Sequence, residues 1–340
     1  MINGRIITRK QRVIDAIRHR QTDTVPYTLS FTTPEYEKVA GHLQDPDFID
    51  HAGNHIELLW SEGGQWQELS PGVWRNCFGV VHDKTGVEKD IGTIGAPPLP
   101  RPVLDGFAFP SVDVPLLRGQ LERFTRNGRD TCKFLAIGFA YYDRAWTMRG
   151  LENFMTDLLA EPAFVEELLR RIEEYNLKMI DIACEYPIDG VHLADDWGGQ
   201  RGLNMGADTW RRLVKPGLKR QYDRIRKHGR IVSTHSCGNI ADIFPDLIDI
   251  GLDVYQTLQP DVYDLSRVKR EFGRDLAFWG GISTQQLLPF GTPDEVKRVV
   301  GETVKLMGDG GGYIASPSHE IQHDVPVENV VALIDALKNQ

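Results

Sequence analysis

Eight short apolar runs, each followed by a stretch of helical periodicity, recur along this chain of 340 residues. The runs are Val25–Phe31, His55–Trp60, Phe134–Phe139, Gly190–Leu193, Arg230–Thr234, Val254–Leu258, Leu276–Trp279 and Gly312–Ala315. Buried strands joined by helical crossovers pair in parallel, because a parallel neighbour cannot be reached by a tight turn. Helices are expected at 8–20, capped by Thr8, and at 34–43, 116–126, 151–161, 163–186, 207–228, 240–250, 265–272, 292–307 and 327–337. Asp264 can cap the helix at 265–272, and Gly251 fits the position just past the one at 240–250. Eight such units predict an α/β protein of the (β/α)8 TIM-barrel class, with residues 1–340 forming one domain. The rival is an open doubly wound sheet, but no GxGxxG follows the first run.

One stretch breaks the alternation. Residues 61–110 are rich in Gly, Pro and Trp, with short alternating pieces such as Val73-Trp74-Arg75. This texture predicts one or two β-hairpins and an extended segment, inserted after the second strand. An insertion there would cover one end of the barrel, as structural cover or as a lid over substrate.

The charge balance limits the partners. Lys plus Arg number 39 and Asp plus Glu 48, so the net charge of −9 argues against nucleic acid or an anionic membrane as partner. No apolar run reaches the roughly 20 residues of a membrane span, and the first twenty residues lack the apolar core of a signal peptide. Cys77, Cys132, Cys184 and Cys237 are far apart with no CxxC, which predicts free thiols and a cytoplasmic location.

Barrel chemistry sits at the C-terminal ends of the strands. After the fifth run comes Thr234-His235-Ser236-Cys237-Gly238-Asn239. His235 and Cys237 are two apart and point to one face of an extended chain, and imidazole with thiolate suits zinc. A third ligand could be His319, Glu320, or one of Asp195 and Asp196, with an open fourth position for catalysis. Asp195 and Asp196 follow the fourth run, and adjacent residues on an extended end point opposite ways, so one of them is expected to face the cavity. His192 reads as a core or supporting group. Tyr141 and Tyr142 follow the third run, Trp197 the fourth, and Trp279 ends the seventh, with Gln256 on the sixth.

These strand ends, DGVHLADDWGGQRGL, THSCGNIADIFPDLIDIGLDV, LAFWGGISTQQLLPFGTP and GGGYIASPSHEIQHDVPVENV, resemble the uroporphyrinogen decarboxylase superfamily over about residues 189–335. The resemblance implies a (β/α)8 barrel. It also implies a choice between two branches. The decarboxylase branch acts on an acidic tetrapyrrole without metal, gripped by an arginine-rich loop after the first strand. Here that place reads Ser30-Phe31-Thr32-Thr33-Pro34-Glu35-Tyr36, with no arginine to pair with carboxylates. The other branch, corrinoid-linked methyltransferases, places H-x-C after the fifth strand, which His235 and Cys237 match. Its third ligand is often a cysteine after the eighth strand, where this chain has Ser316-Pro317-Ser318-His319. The resemblance therefore implies a zinc-dependent methyltransferase that passes a methyl group between a small ether, amine or thiol donor and a corrinoid on a partner protein. In it His235, Cys237 and His319 would hold zinc, Asp195, Asp196 and His319 would act in catalysis, and Tyr141, Tyr142, Trp197, Gln256 and Trp279 would touch substrate. A homodimer is implied as well. The alternatives are a lyase on a different carboxylic acid and a metal-binding barrel without chemistry.

Overall fold

The computed structural model describes residues 7–86 and 90–340. The expected insertion includes residues 87–89, and the expected absence of a leader includes residues 1–6; both lie outside the described residues.

The fold is α/β. Its seven parallel-type strands are β1 (Ile56–Trp60), β2 (Cys132–Ile137), β3 (Gly190–Ala194), β4 (Ile231–His235), β5 (Val254–Leu258), β6 (Ala277–Ile282) and β7 (Tyr313–Pro317), and they belong to one sheet in chain order. By packing, the chain divides into two compact units. No helix among the described residues is long and apolar enough to cross a membrane.

The first unit holds residues up to Glu57, Arg129–Lys133 and Asp253–Gln340. Within it β5, β6 and β7 pair in parallel. The expected first strand is present only as two parallel bridges, Tyr27 to Ala315 and Phe31 to Ile321. The reason is local. Pro26 has no N–H to donate, and the N–H groups of Val25 and Leu29 go to the side chains of Gln340 and Asn54 rather than to a neighbouring strand. The segment is still held at both edges, since Thr28 N donates to Ala315 O and His55 N to Tyr27 O. The helix Pro293–Gly308 begins with a reciprocal capping box between Thr292 and Glu295. At the end of β6, Gly280 has φ +137°, and a Cβ there would lie 2.7 Å from the Leu258 backbone, so the bulged pairing of β5 with β6 needs glycine.

The second unit holds Leu58–Gly128 and Phe134–Leu252. Here β2, β3 and β4 pair in parallel, with His235 of β4 in register with Ala194 of β3. Every residue of β2 is buried, as expected of a strand covered on both faces. The helix expected over 207–228 is two helices, Ala207–Leu213 and Lys215–Lys227. Pro216 cannot donate to the carbonyl four residues back, so it starts a new helix instead of continuing the old one. Between 61 and 110 lie four short antiparallel strands, Gln67–Ser70, Val73–Arg75, Val81–Asp83 and Thr93–Ile94. The segment that carries this sheet is tied to the helix Tyr142–Arg149 on either side of its first two strands, by an ion pair between Arg144 Nη2 and Glu62 Oε1 at 2.9 Å and by the guanidinium lying 4.4 Å from the Phe78 ring centroid. Removing either partner would leave a buried charge uncompensated.

Candidate metal centre

His235 is the last residue of β4, and the chain then turns through Ser236 and Cys237. Gly238 has φ +75°, and a Cβ on it would lie 2.4 Å from the carbonyl of Gly198. That carbonyl belongs to a two-stranded hairpin, Gly198–Gly199 with Gly202–Leu203. Asn239 N donates to Gly199 O at 2.8 Å, so the turn after β4 is fixed to the turn after β3 through backbone alone. Ser236 Oγ adds a second link by accepting from Trp197 N at 3.0 Å.

The turn brings His235 Nε2 to 3.4 Å from Cys237 Sγ. Two zinc ligands at the usual bond lengths, subtending a tetrahedral angle, are about 3.6 Å apart. The pair therefore fits two corners of one zinc polyhedron without rearrangement. Asp196 Oδ1 lies 3.4 Å from the same His235 nitrogen and accepts from Cys237 N at 2.8 Å. Burial works against a protonated His235, but the Cys237 sulfur and the Asp196 carboxylate outweigh it and raise its pKa well above the ordinary value. An environment that favours positive charge on the ring also favours a cation in place of the proton.

Behind the pair stands His192, buried on the same face of the sheet, with Nδ1 2.8 Å from Ser233 Oγ. Burial and then the proximity of His235 push its pKa down to about 3, so this imidazole stays neutral. Trp60, at the end of β1, meets His192 edge to face with ring centroids 6.0 Å apart, and His192 meets His235 at 6.4 Å. The indole is 52% exposed. The sequence reading missed Trp60. Its signal was its place as the last residue of a strand whose inward face it shares with Ile56 and Leu58.

Asp195 serves a different purpose from Asp196. It is 1% exposed, and its carboxylate accepts from the backbone N–H groups of Tyr141, Tyr142 and Asp143 at 2.9–3.0 Å and from Trp197 Nε1 at 3.3 Å. It thus caps the helix Tyr142–Arg149, whose first-turn N–H groups would otherwise be unpaired. Burial raises its pKa and the backbone donors oppose that rise. Asp143 is raised further, by burial and then by the charges of Asp195 and Asp196, while its carboxylate accepts from Asp196 N at 2.8 Å and Trp146 Nε1 at 2.6 Å.

Three of the aromatic residues expected to touch substrate are enclosed in this structure. Tyr141, Tyr142 and Trp197 are 2%, 1% and 0% exposed. The Tyr141 ring packs where a side chain on Gly217 would be, the Tyr142 hydroxyl lies 3.3 Å from Met155 Sδ, and the Trp197 ring meets Trp210 at 5.6 Å. Each ring packs against a different later helix: Tyr141 against Lys215–Lys227, Tyr142 against Leu151–Ala160 and Trp197 against Ala207–Leu213.

In the other unit, Trp279 of β6 is likewise buried, in register with the half-buried Gln256 of β5. His319 follows β7. The residue before it is fixed from three directions: Ser318 N donates to Ile282 O, its hydroxyl is 3.2 Å from Thr284 Oγ1, and its carbonyl accepts from Thr257 Oγ1. No disulfide joins Cys77, Cys132, Cys184 and Cys237.

Known proteins agree with this architecture. A solved structure of a methyltransferase from Methanosarcina mazei superposes with a TM-score of 0.73 at 19% identity, covering 98% of this chain and 99% of that one. In sequence, a uroporphyrinogen decarboxylase of Coxiella burnetii is 25% identical over 294 residues, which is 76% of this chain and 74% of the relative. A methylated-thiol–coenzyme M methyltransferase of Methanosarcina mazei is 20% identical over 225 residues, 66% of this chain and 58% of that protein. The family model described as uroporphyrinogen decarboxylase matches residues 137–340, more than half the length and including every element of the His235–Cys237 turn. The chain belongs to the uroporphyrinogen decarboxylase family.

Proposed function

We propose that this protein is a zinc-dependent methyltransferase that moves a methyl group between a small ether, amine or thiol donor and a corrinoid carried on a partner protein. The observation that carries this reading is the pair His235 Nε2 and Cys237 Sγ, 3.4 Å apart beyond the end of β4. We take His319 as the third ligand of the proposed set. The methyltransferase relatives support the reaction class.

Zinc bound there would act as a Lewis acid on the methyl-bearing heteroatom. The remaining work falls to the chain's own residues. Asp196 orients the pair by holding Cys237 N and facing His235, and its half-exposed carboxylate can take up a proton from an incoming thiol or alcohol. Asp195 positions the rim through the helix it caps. His192 supplies a neutral, desolvated wall next to the reacting groups.

The same reading makes residues 1–340 one closed (β/α)8 domain in the cytoplasm, a homodimer, with the small sheet inserted after the second strand as cover for one end. The decarboxylase relatives favour a second reading, a lyase on another carboxylic acid. Against it stands the segment Ser30–Tyr36, which has no arginine to hold substrate carboxylates.

The test is metal content. Protein purified without chelators should carry about one zinc per chain, and Cys237→Ala should lose most of it, at least about tenfold in affinity, while melting within a few degrees of the parent. The parent should methylate cob(I)alamin from a small methyl donor. A metal-free parent protein, or a Cys237→Ala variant with undiminished zinc, defeats the proposal.

A further inference from the structure

Asp143 is a buried acid whose place the capping of its own helix does not explain. Asp195 already accepts from the N–H groups of Tyr141, Tyr142 and Asp143, so the first turn of the helix Tyr142–Arg149 needs no second carboxylate. Both oxygens of Asp143 are nonetheless engaged. Oδ1 accepts from Trp146 Nε1 at 2.6 Å, and Oδ2 accepts from Asp196 N at 2.8 Å. The second bond stands where a strand would have supplied a carbonyl. The N–H groups on either side of Asp196 go toward β4 and its turn: Asp195 N to His235 O, and Trp197 N to Ser236 Oγ. That of Asp196 points the opposite way, toward the β2 side, as alternation along an extended chain requires. But β2 ends at Ile137, and Phe139, with φ +47°, turns the chain out of the sheet. Asp143 supplies the missing acceptor from its side chain.

We infer that Asp143 is a positioning residue of the metal centre: it fixes the main chain of Asp196, and with it the carboxylate that holds Cys237 N and faces His235. This inference rests on the zinc reading of that turn and adds a residue two hydrogen bonds away from a ligand. The relay is short, since Asp143 Oδ2 to Asp196 N and Asp196 Oδ1 to Cys237 N are both 2.8 Å. Asp196, with a side chain 49% exposed, can direct the ligands only while its own peptide stays put. Trp146 holds the other oxygen of Asp143 and so sets the direction from which that carboxylate reaches Asp196.

The test measures zinc affinity of the full-length protein, by competition with a chromophoric chelator, in the parent, Asp143→Asn, Asp196→Asn and the double variant. An amide offers one oxygen to the two donors that Asp143 serves with two. Asp143→Asn should therefore weaken zinc binding about tenfold. It should add less than about twofold to the loss already made by Asp196→Asn, because the route through that carboxylate is then gone. With cobalt(II) in place of zinc, the sulfur-to-cobalt absorption band should shift in Asp143→Asn, a signature that lost stability alone would not move. Should Asp143→Asn not fold, Trp146→Phe carries the same comparison, with about a threefold loss in the parent background and none beside Asp196→Asn. Parent-like zinc affinity in folded Asp143→Asn, or in Trp146→Phe where that variant stands in for it, would overturn the inference and leave the zinc reading intact. So would a loss repeated in full beside Asp196→Asn. A parent protein that binds no zinc would instead strike the metal reading, and this inference with it.

Discussion

The turns that follow β3 and β4 are joined by backbone hydrogen bonds and both carry ionisable side chains, yet they do opposite things with them. The β3 end spends Asp195 on structure. Its carboxylate satisfies three backbone N–H groups and an indole, and the aromatic rings around it are sealed. The β4 end leaves His235 and Cys237 half-buried, with donor atoms 3.4 Å apart. Asp196 belongs to the first turn by sequence and to the second by contact, since it faces His235 and holds Cys237 N. One residue of offset on an extended chain is enough to divide two carboxylates between frame and site. Proximity to a reactive centre therefore does not make a charged residue part of the chemistry; the partners of its oxygens decide.

Exchanging charge for amide at the two neighbours gives the largest contrast. Asp195→Asn sets an NH2 group among four donors in a buried place and should cost on the order of 3 kcal/mol in urea unfolding. Asp196→Asn should cost less than about 1 kcal/mol, because its side chain is 49% exposed, but should weaken zinc binding about tenfold. Equal destabilisation by the two substitutions would erase the distinction drawn here.

A histidine away from both turns sharpens it. His55 is 3% exposed, and burial first, then the charges of Arg12 and Arg9, push its pKa down to about 4. The unfolded chain takes up a proton near pH 6.5 and the folded one does not until near pH 4. Its contribution is therefore fully present above pH 6.5 and is lost as pH falls through that window, up to about 3 kcal/mol. His55→Phe should flatten the stability profile between pH 6.5 and 4 in thermal or urea melts; an unchanged slope would show that this imidazole is not held neutral. The smallest effect is expected at Tyr142→Phe. It removes a hydroxyl whose contact is a thioether, should change stability by less than about 1 kcal/mol, and should leave methyl transfer unaltered. A large loss of activity there would return the ring to the substrate site.

The α/β pattern was readable because strand and helix periods differ and the β-α alternation repeats. The closeness of His235 and Cys237 was readable because both sit in one short extended stretch, where spacing alone fixes their face. The helix Tyr142–Arg149 was not, because its cap is supplied by Asp195, more than fifty residues downstream, and no local capping residue announces it. The enclosure of the aromatics was not foreseen for the same reason: rings at a strand end look alike whether or not later helices pack against them. Trp60 escaped notice because exposure of the last residue in a strand depends on what lies beside it, here the absent side chain of Gly138. The first strand was found, but its thin ladder was not foreseen, since the side chains of Asn54 and Gln340 that take its N–H groups come from distant sequence.

The mutual approach of Gly198 and Gly238 carries a lesson for how such a protein can diversify. With no side chain fitting between the two turns, their relative height is set by main-chain thickness, and a single added methyl at position 238 would pry the sulfur of Cys237 away from the imidazole. Exchanging the side chains at 235 or 237 would leave that spacing as it is, whereas adding even one carbon at 238 could not.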